Sequence, residues 1–251
     1  MEREDQILVR HFMDLSRAAD ERCMDTFSEF LNIREVALLR KTDLPGGRFF
    51  LFGGSSTSER VVAAFPSPYT EESEIAWPVS LVRVTVKGAK FLANKFTHRD
   101  YLGAVLGLEI ERGLIGDISV SEAGAYIFCL TRAAELLVQE LREVGRAQVE
   151  AEIVPLSEAE QNVHLEEVRG TVASVRLDAV IGEVYHLARG KTKELIDAGR
   201  VAVNAAEELR GHRELREGDV VSARGFGKFR FVTVEGATRK DRIRILVEVY
   251  R

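Results

Sequence analysis

The first apolar residues of the chain, Ile7, Leu8, Phe12, Leu15 and Ala19, recur at three- and four-residue intervals. That spacing gives a helix one buried face and predicts a helix over Glu4 to Asp20. Phe27, Phe30, Leu31 and Val36 to Leu39 continue the pattern, so the helical expectation extends through them. Pro45-Gly46-Gly47 ends it. Two apolar runs follow, Arg48 to Phe52 and Val61 to Phe65, separated by Gly53-Gly54, and they read as paired strands joined by a turn. Pro66, Pro68 and Glu71-Glu72 then mark a domain boundary, giving an N-terminal α/β domain over 1–74.

From Ile75 the order is regular. Strand Leu81 to Val86, helix Arg99 to Leu108, strands Ile115 to Val120 and Ala125 to Leu130, helix Ala133 to Val144 and strand Ala147 to Val154 succeed one another. This is β-α-β-β-α-β, the split ferredoxin-like order that RNA-recognition motifs share. Thr97 with Asp100 forms a capping pair for the first helix, and Gly145 suits the end of the second. The acidic stretch Ser157 to Glu167 reads as a helix or linker, so this middle domain is placed at 75–165. The last domain, 166–251, opens with a helical pattern through Ala179, Val180, Val184 and Leu187. A second short helix, Lys191 to Ala198, ends at Gly199, and a strand follows at Val201 to Val203. The fold class expected is therefore α+β in three domains, with no internal repeat.

Charge changes this picture. The whole chain has 35 Lys and Arg against 40 Asp and Glu, a net of −5 that argues against a nucleic-acid partner. From Val172 onward, however, 16 basic residues face 12 acidic ones, net +4, while the remaining 19 and 28 give −9 upstream. A basic end on an acidic chain fits a polyanion recognised by shape, since indiscriminate phosphate attraction is weakened. The partner expected is structured RNA, with neither DNA nor a membrane. No window reaches the roughly 18 apolar residues of a membrane helix, and Met1-Glu-Arg-Glu-Asp lacks the order of a secretory signal, which places the expectation in the cytoplasm.

The basic residues have a pattern. Arg176, Arg189, Lys191, Lys193 and Arg200 fall at helix ends and in the intervening turn, where they reach phosphates. Arg176-Leu177-Asp178, Leu187-Ala-Arg-Gly-Lys191 and Leu195-Ile-Asp-Ala-Gly-Arg-Val-Ala-Val-Asn204 resemble the S4 RNA-binding domain, and Leu215 to Val221 resembles its next strand and turn. Together with Arg224-Gly-Phe-Gly-Lys-Phe-Arg230, Lys240-Asp-Arg-Ile-Arg244, Thr97 to Arg112 and Gly116-Asp117-Ile118, these segments are similar to the YlmH family of bacterial S4-domain proteins. The resemblance covers nearly the whole chain and is loosest in the first seventy residues. It implies association with ribosomes through rRNA and tRNA at the large subunit and a part in handling stalled translation. It also implies RNA contacts at Arg176, Arg189, Lys191, Lys193, Arg200 and Asn204, with Arg224, Lys228, Arg230, Lys240 and Arg242 as a second basic group. The S4 pattern has a serine where this chain has Ala188, and Asn-Gly where it has Asn204-Ala205.

Several motifs have blander readings. Phe229 reads as core and Phe226 as either core or a stacking face for unpaired bases. Tyr126 and Phe128 lie where an RNA-recognition motif presents stacking aromatics, but without its basic-Gly-Phe signature, so core packing is favoured. Gly190-Lys191-Thr192 lacks the upstream glycine of a phosphate loop, and His98-Arg99-Asp100 lacks the companions of a kinase loop. Gly46, Gly47, Gly53 and Gly54 lack dinucleotide-site spacing and read as turns. Cys23 and Cys129 read as small buried residues, and Glu207-Glu208 as a solvated pair. No metal, cofactor or catalytic residue is expected. The competing classes are an RNA-modifying enzyme of pseudouridine-synthase type using Asp178, and a protein-interaction adaptor docking through the acidic N-terminal domain.

Overall fold

A computed structural model describes residues 3–55, 58–88, 96–121, 123–158, 165–204, 206–238 and 242–250. The chain divides into two compact units, Met1–Asn162 and Val163–Arg251. Among the described residues there are six α-helices and three antiparallel sheets.

In the first unit, helix α1 (Arg3–Arg22) packs Phe12 and Ala19 onto a three-stranded sheet of β1 (Thr26–Leu31), β2 (Phe50–Phe52) and β3 (Val61–Phe65), in the order β1-β3-β2. Helix α2 (Ile33–Leu39) adds Val36 and Leu39 to the same layer. The expectation of continuous helix from Phe27 fails here, because residues 26–31 are a strand that pairs with β3. Phe27, Phe30 and Leu31 fit either period. The signal that decides is Asn32 with Glu35, whose side chain and backbone bond reciprocally as a capping box and restart the helix one residue after β1.

The rest of this unit follows the order β4 (Val79–Val86), α3 (His98–Leu106), β5 (Ile115–Ser121), β6 (Gly124–Leu130), α4 (Thr131–Glu140), β7 (Glu143–Val144) and β8 (Ala147–Val154). The sheet order is β5-β6-β4-β8-β7. Thr97 and Asp100 cap α3 as expected. Helix α4 stops at Glu140 rather than Val144, and Gly145, with φ +61°, instead turns β7 into β8.

Both faces of this second sheet are covered. Tyr101, Val105, Ala134 and Leu137 from the helices pack on Val82, Val84 and Ile127. On the opposite face Leu81, Tyr126 and Phe128 pack against Phe30 and Val62 of the N-terminal sheet. Every residue of β3 and of β6 is buried, which is why Val61-Val-Ala-Ala-Phe65 and Ala125 to Leu130 are unbroken apolar runs. A strand with only one buried face alternates.

The second unit carries a six-stranded sheet in the order β11-β10-β12-β13-β14-β9. Its strands are β9 (Leu165–Val172), β10 (Val201–Val203), β11 (Ala206–Glu207), β12 (Val220–Ala223), β13 (Gly227–Ala237) and β14 (Ile243–Tyr250). The end of the acidic stretch expected as helix or linker is thus strand, paired along β14 from Leu165 to Val172. Helices α5 (Leu177–Val184) and α6 (Arg189–Asp197) bury Leu177, Val180, Ile181, Leu195 and Ile196 against Phe229, Phe231 and Val247. Gly199, at φ +65°, ends α6 in the left-handed conformation that glycine adopts without steric cost.

Candidate nucleic-acid interface

Residue alternation along β13 sorts the expected basic contacts. Phe229 and Phe231 point into the core beneath α5 and α6, so Lys228 and Arg230 face the other side of the sheet. Arg230 is held there by Glu248, its Nε donating to Oε2 at 2.8 Å. These two are therefore separated from the helical rim. Arg242 donates a guanidinium hydrogen bond to the Thr171 carbonyl at the β9–β14 edge, and Lys240 lies outside the described residues.

The helical rim itself gathers two groups. Arg176, just before α5, and Arg189, the first residue of α6, line one cleft of about 490 Å³ together with Ala173, Ala179 and Gly182. Arg176 grips Asp178 in a fork, Nη2 to Oδ2 at 2.6 Å and Nε to Oδ1 at 3.1 Å. On α6, Lys191 pairs with Glu194 at 2.9 Å, and Lys193 is exposed. The second group is Arg200 and Arg224, which exchange backbone and side-chain bonds of 2.9 Å. Among the described residues Arg189, Lys193, Arg200 and Arg224 have no carboxylate at ion-pair distance.

The chain is 30% identical to the ribosome-associated protein quality control protein P2 of Bacillus subtilis (strain 168) over 253 residues, covering 98% of this chain and 95% of that protein. Residues 74–158 match the family model described as "Putative RNA-binding domain in YlmH". The chain belongs to the YlmH family. The structure of the cell division protein ylmH from Streptococcus pneumoniae has a similar fold, with a TM-score of 0.54 at 24% identity, covering 63% of this chain and 95% of that one.

In this YlmH-family chain the matched segment 74–158 has its sheet aromatics Tyr126 and Phe128 at 8% and 4% exposure beneath the N-terminal sheet. They are core, as their sequence context favoured. The Tyr126 hydroxyl donates to Glu158 at 3.1 Å, beside Arg83, which also holds Glu152 at 2.7 Å.

The N-terminal sheet is pinned by the same motif that carried the family resemblance. Asp117 accepts from the backbone amides of Glu59 at 2.6 Å and Arg60 at 3.1 Å. Arg60 donates to the carbonyls of Phe30 and Ile115. Burial holds its guanidinium below the ordinary value against the pull of Glu35, Asp117 and Glu29.

Sequence reasoning missed Arg210 and Arg213. Glu208, taken for half of a solvated pair, is buried at 5% exposure and accepts from both guanidiniums at 2.8 to 3.0 Å. The Arg210 hydrogen bond, helped by Arg213, holds its carboxyl down at about 2 despite the opposing cost of burial. The carbonyls of Gly211 and Arg213 in the same loop accept from the first amides of α5, those of Asp178 and Leu177, which ties the loop to the start of that helix. The signal in the sequence was a carboxylate within five residues of two arginines, a spacing common on solvated loops as well.

Cys129 is buried, which pushes its thiol up to about 12, whereas Cys23, expected to be buried, is exposed just after α1 with φ +49°. Among the described residues no three His, Cys, Asp or Glu side chains are grouped to hold a metal ion, and no helix is long and apolar enough to cross a membrane.

Proposed function

We propose that the protein is a non-catalytic RNA-binding factor acting on the ribosome, anchored by an S4-like domain over 166–251. Its targets are rRNA and tRNA at the large subunit, and its role is to assist the handling of stalled translation. The observation that carries this reading is the rim of the C-terminal unit, where Arg176 and Arg189 line one cleft with the small residues Ala173, Ala179 and Gly182. Two carboxylates share that cleft: Asp178, held by Arg176, and Glu183, which accepts from the Thr171 amide. Lys191 and Lys193 continue the rim along the exposed face of α6. Guanidiniums and ammoniums on a rigid two-helix step contact phosphates, and spacing set by the fold selects shape over sequence. The name of the Bacillus subtilis relative supports the ribosomal setting. The split β-α-β-β-α-β unit, in which a ferredoxin-like arrangement is built from residues 75–154, serves as a second RNA contact.

Within the basic set we assign Arg176, Arg189, Lys191, Lys193, Arg200 and Arg224 to phosphate contact. Asn204 shapes the turn after β10: at φ +52° it donates to Asp219 at 2.8 Å and accepts from the Val220 amide at 2.9 Å. Asp178 is held by Arg176 at the start of α5, and we read the pair as structural support for the rim.

Co-sedimentation of the purified protein with ribosomal subunits across a salt series tests the reading. The comparison is wild type against a variant carrying Arg189→Gln, Lys191→Gln and Lys193→Gln, all exposed. Wild type is expected to sediment with the large subunit, and removing three phosphate contacts lowers the salt slope by roughly 2 to 3 units. Equal binding by both proteins would move the contact elsewhere in the chain.

A further inference from the structure

Beside the helical rim, two turns bring aromatic rings and guanidiniums together. Tyr185 closes α5, and Phe226 stands at the tip of the β12–β13 turn with 38% of its surface exposed. Their rings lie 5.9 Å apart at 45°, and Tyr185 is braced from behind by Phe229 at 6.0 Å, edge to face. Phe226 is held between Gly225 at φ +91° and Gly227 at φ +121°, conformations that side-chain-bearing residues rarely adopt. Backbone conformation rather than space calls for glycine here: a Cβ on Gly225 would stand 3.2 Å from the end of the flexible Arg200 side chain, and one on Gly227 at an ordinary 3.6 Å from the Tyr185 hydroxyl. The Phe226 amide donates to the Ala223 carbonyl at 2.9 Å, and Arg200 reaches across to the Arg224 carbonyl at 2.9 Å, so the tip is fixed from both sides.

A solvated tight turn needs no phenylalanine, and Phe226, though in tilted contact with Tyr185, keeps more than a third of its surface open to solvent. We propose that the Tyr185–Phe226 step is a stacking platform for one unpaired nucleotide, whose flanking phosphates are held by Arg200 and Arg224. Every base has a π-face that stacks on an aromatic ring, and adjacent guanidiniums add charge without reading base edges. The platform thus distinguishes unpaired from paired RNA rather than one base from another. It rests on the reading of the C-terminal unit as an RNA anchor, and adds to it the state of the nucleotide being bound.

The test uses the full-length chain with two RNAs of equal phosphate count: a stem–loop with 2-aminopurine in its loop, and a blunt duplex. Wild type is expected to bind the stem–loop and quench the 2-aminopurine fluorescence. Phe226→Leu, which keeps an apolar side chain without a ring, is expected to abolish the quench and weaken stem–loop binding roughly 5- to 150-fold, the range for loss of one stacked base. Its duplex binding stays at the wild-type level, and Phe226→Tyr restores both the quench and the affinity. The α6 triple variant, by contrast, loses affinity for both RNAs. Unchanged stem–loop binding in Phe226→Leu, or equal loss on both RNAs, overturns the platform while leaving the anchor standing. A wild-type protein that binds neither RNA ends both readings.

Discussion

Glu208 shows how far a single side chain departs from its sequence appearance. Read beside Glu207 in a polar stretch it is a surface charge, yet the loop 208–214 closes over it and spends it on two arginines. Its ordinary value is 4.5, and in the folded chain it falls to about 2. A carboxyl depressed by folding stabilises the native state at pH values above the unfolded value, and that contribution is lost as pH falls from about 4.5 toward 2. Glu208→Gln is therefore expected to destabilise the protein at pH 7 by roughly 1 to 3 kcal/mol, the cost of a charged hydrogen bond removed from a buried site. Urea midpoints measured from pH 7 down to pH 2 should fall less steeply for the variant than for wild type. Parallel curves would show that Glu208 titrates as an exposed carboxylate does.

At the scale of elements, the sequence was most legible where one face or both faces are uniformly buried. The three- and four-residue spacing of α1, in which Ile7 alone is exposed among the five positions read, the apolar runs of β3 and β6, and the Thr97–Asp100 cap all appear at their expected places. It was least legible where two periods coincide, as in β1, and where a role depends on residues far away in the chain. Gly116 is such a case. Quoted with Asp117 and Ile118 as a mark of family, it lies under the N-terminal sheet, where a Cβ would stand 2.6 Å from the Phe30 ring and 3.1 Å from the Phe128 Cβ. Both neighbours are buried and lack a free direction in which to move. Gly116→Ala is expected to cost roughly 1 to 3 kcal/mol through overpacking, read as a lower thermal midpoint with the helical content retained. A wild-type midpoint would mean that the two sheets separate easily at this point. Among the RNA-contact candidates, spacing found the α5–α6 rim but could not show that Lys228 and Arg230 leave it for the other side of the sheet, because their strand's inward face is set by pairing.

For the whole molecule, the proline-rich segment after β3 suggests a boundary, but the hydrophobic layer of Phe30, Val62, Leu81, Tyr126 and Phe128 crosses it. Residues on the two sides of that layer lose their cover together. Calorimetry of the intact chain is expected to resolve two unfolding transitions, one for each compact unit, with the N-terminal helices and the β-α-β-β-α-β unit melting as one. Three separate transitions would show that this layer contributes little cohesion. The acidic balance upstream of Val172 weakens indiscriminate phosphate attraction there, so under the proposed function the basic residues of the C-terminal unit supply the larger share of the salt dependence.

The covered sheet has one more implication. In an open unit of this type, the flat face with its rings is where bases are laid out and compared. Here Tyr126 and Phe128 have been converted into mortar between two sheets, and the basic side chains Arg83 and Lys87 on the same unit are paired with Glu152 and Glu150. If that unit touches RNA as proposed, the contact follows the contour of a folded strand rather than the rings of its bases, and the Tyr185–Phe226 step carries the proposed sensitivity to an unpaired base.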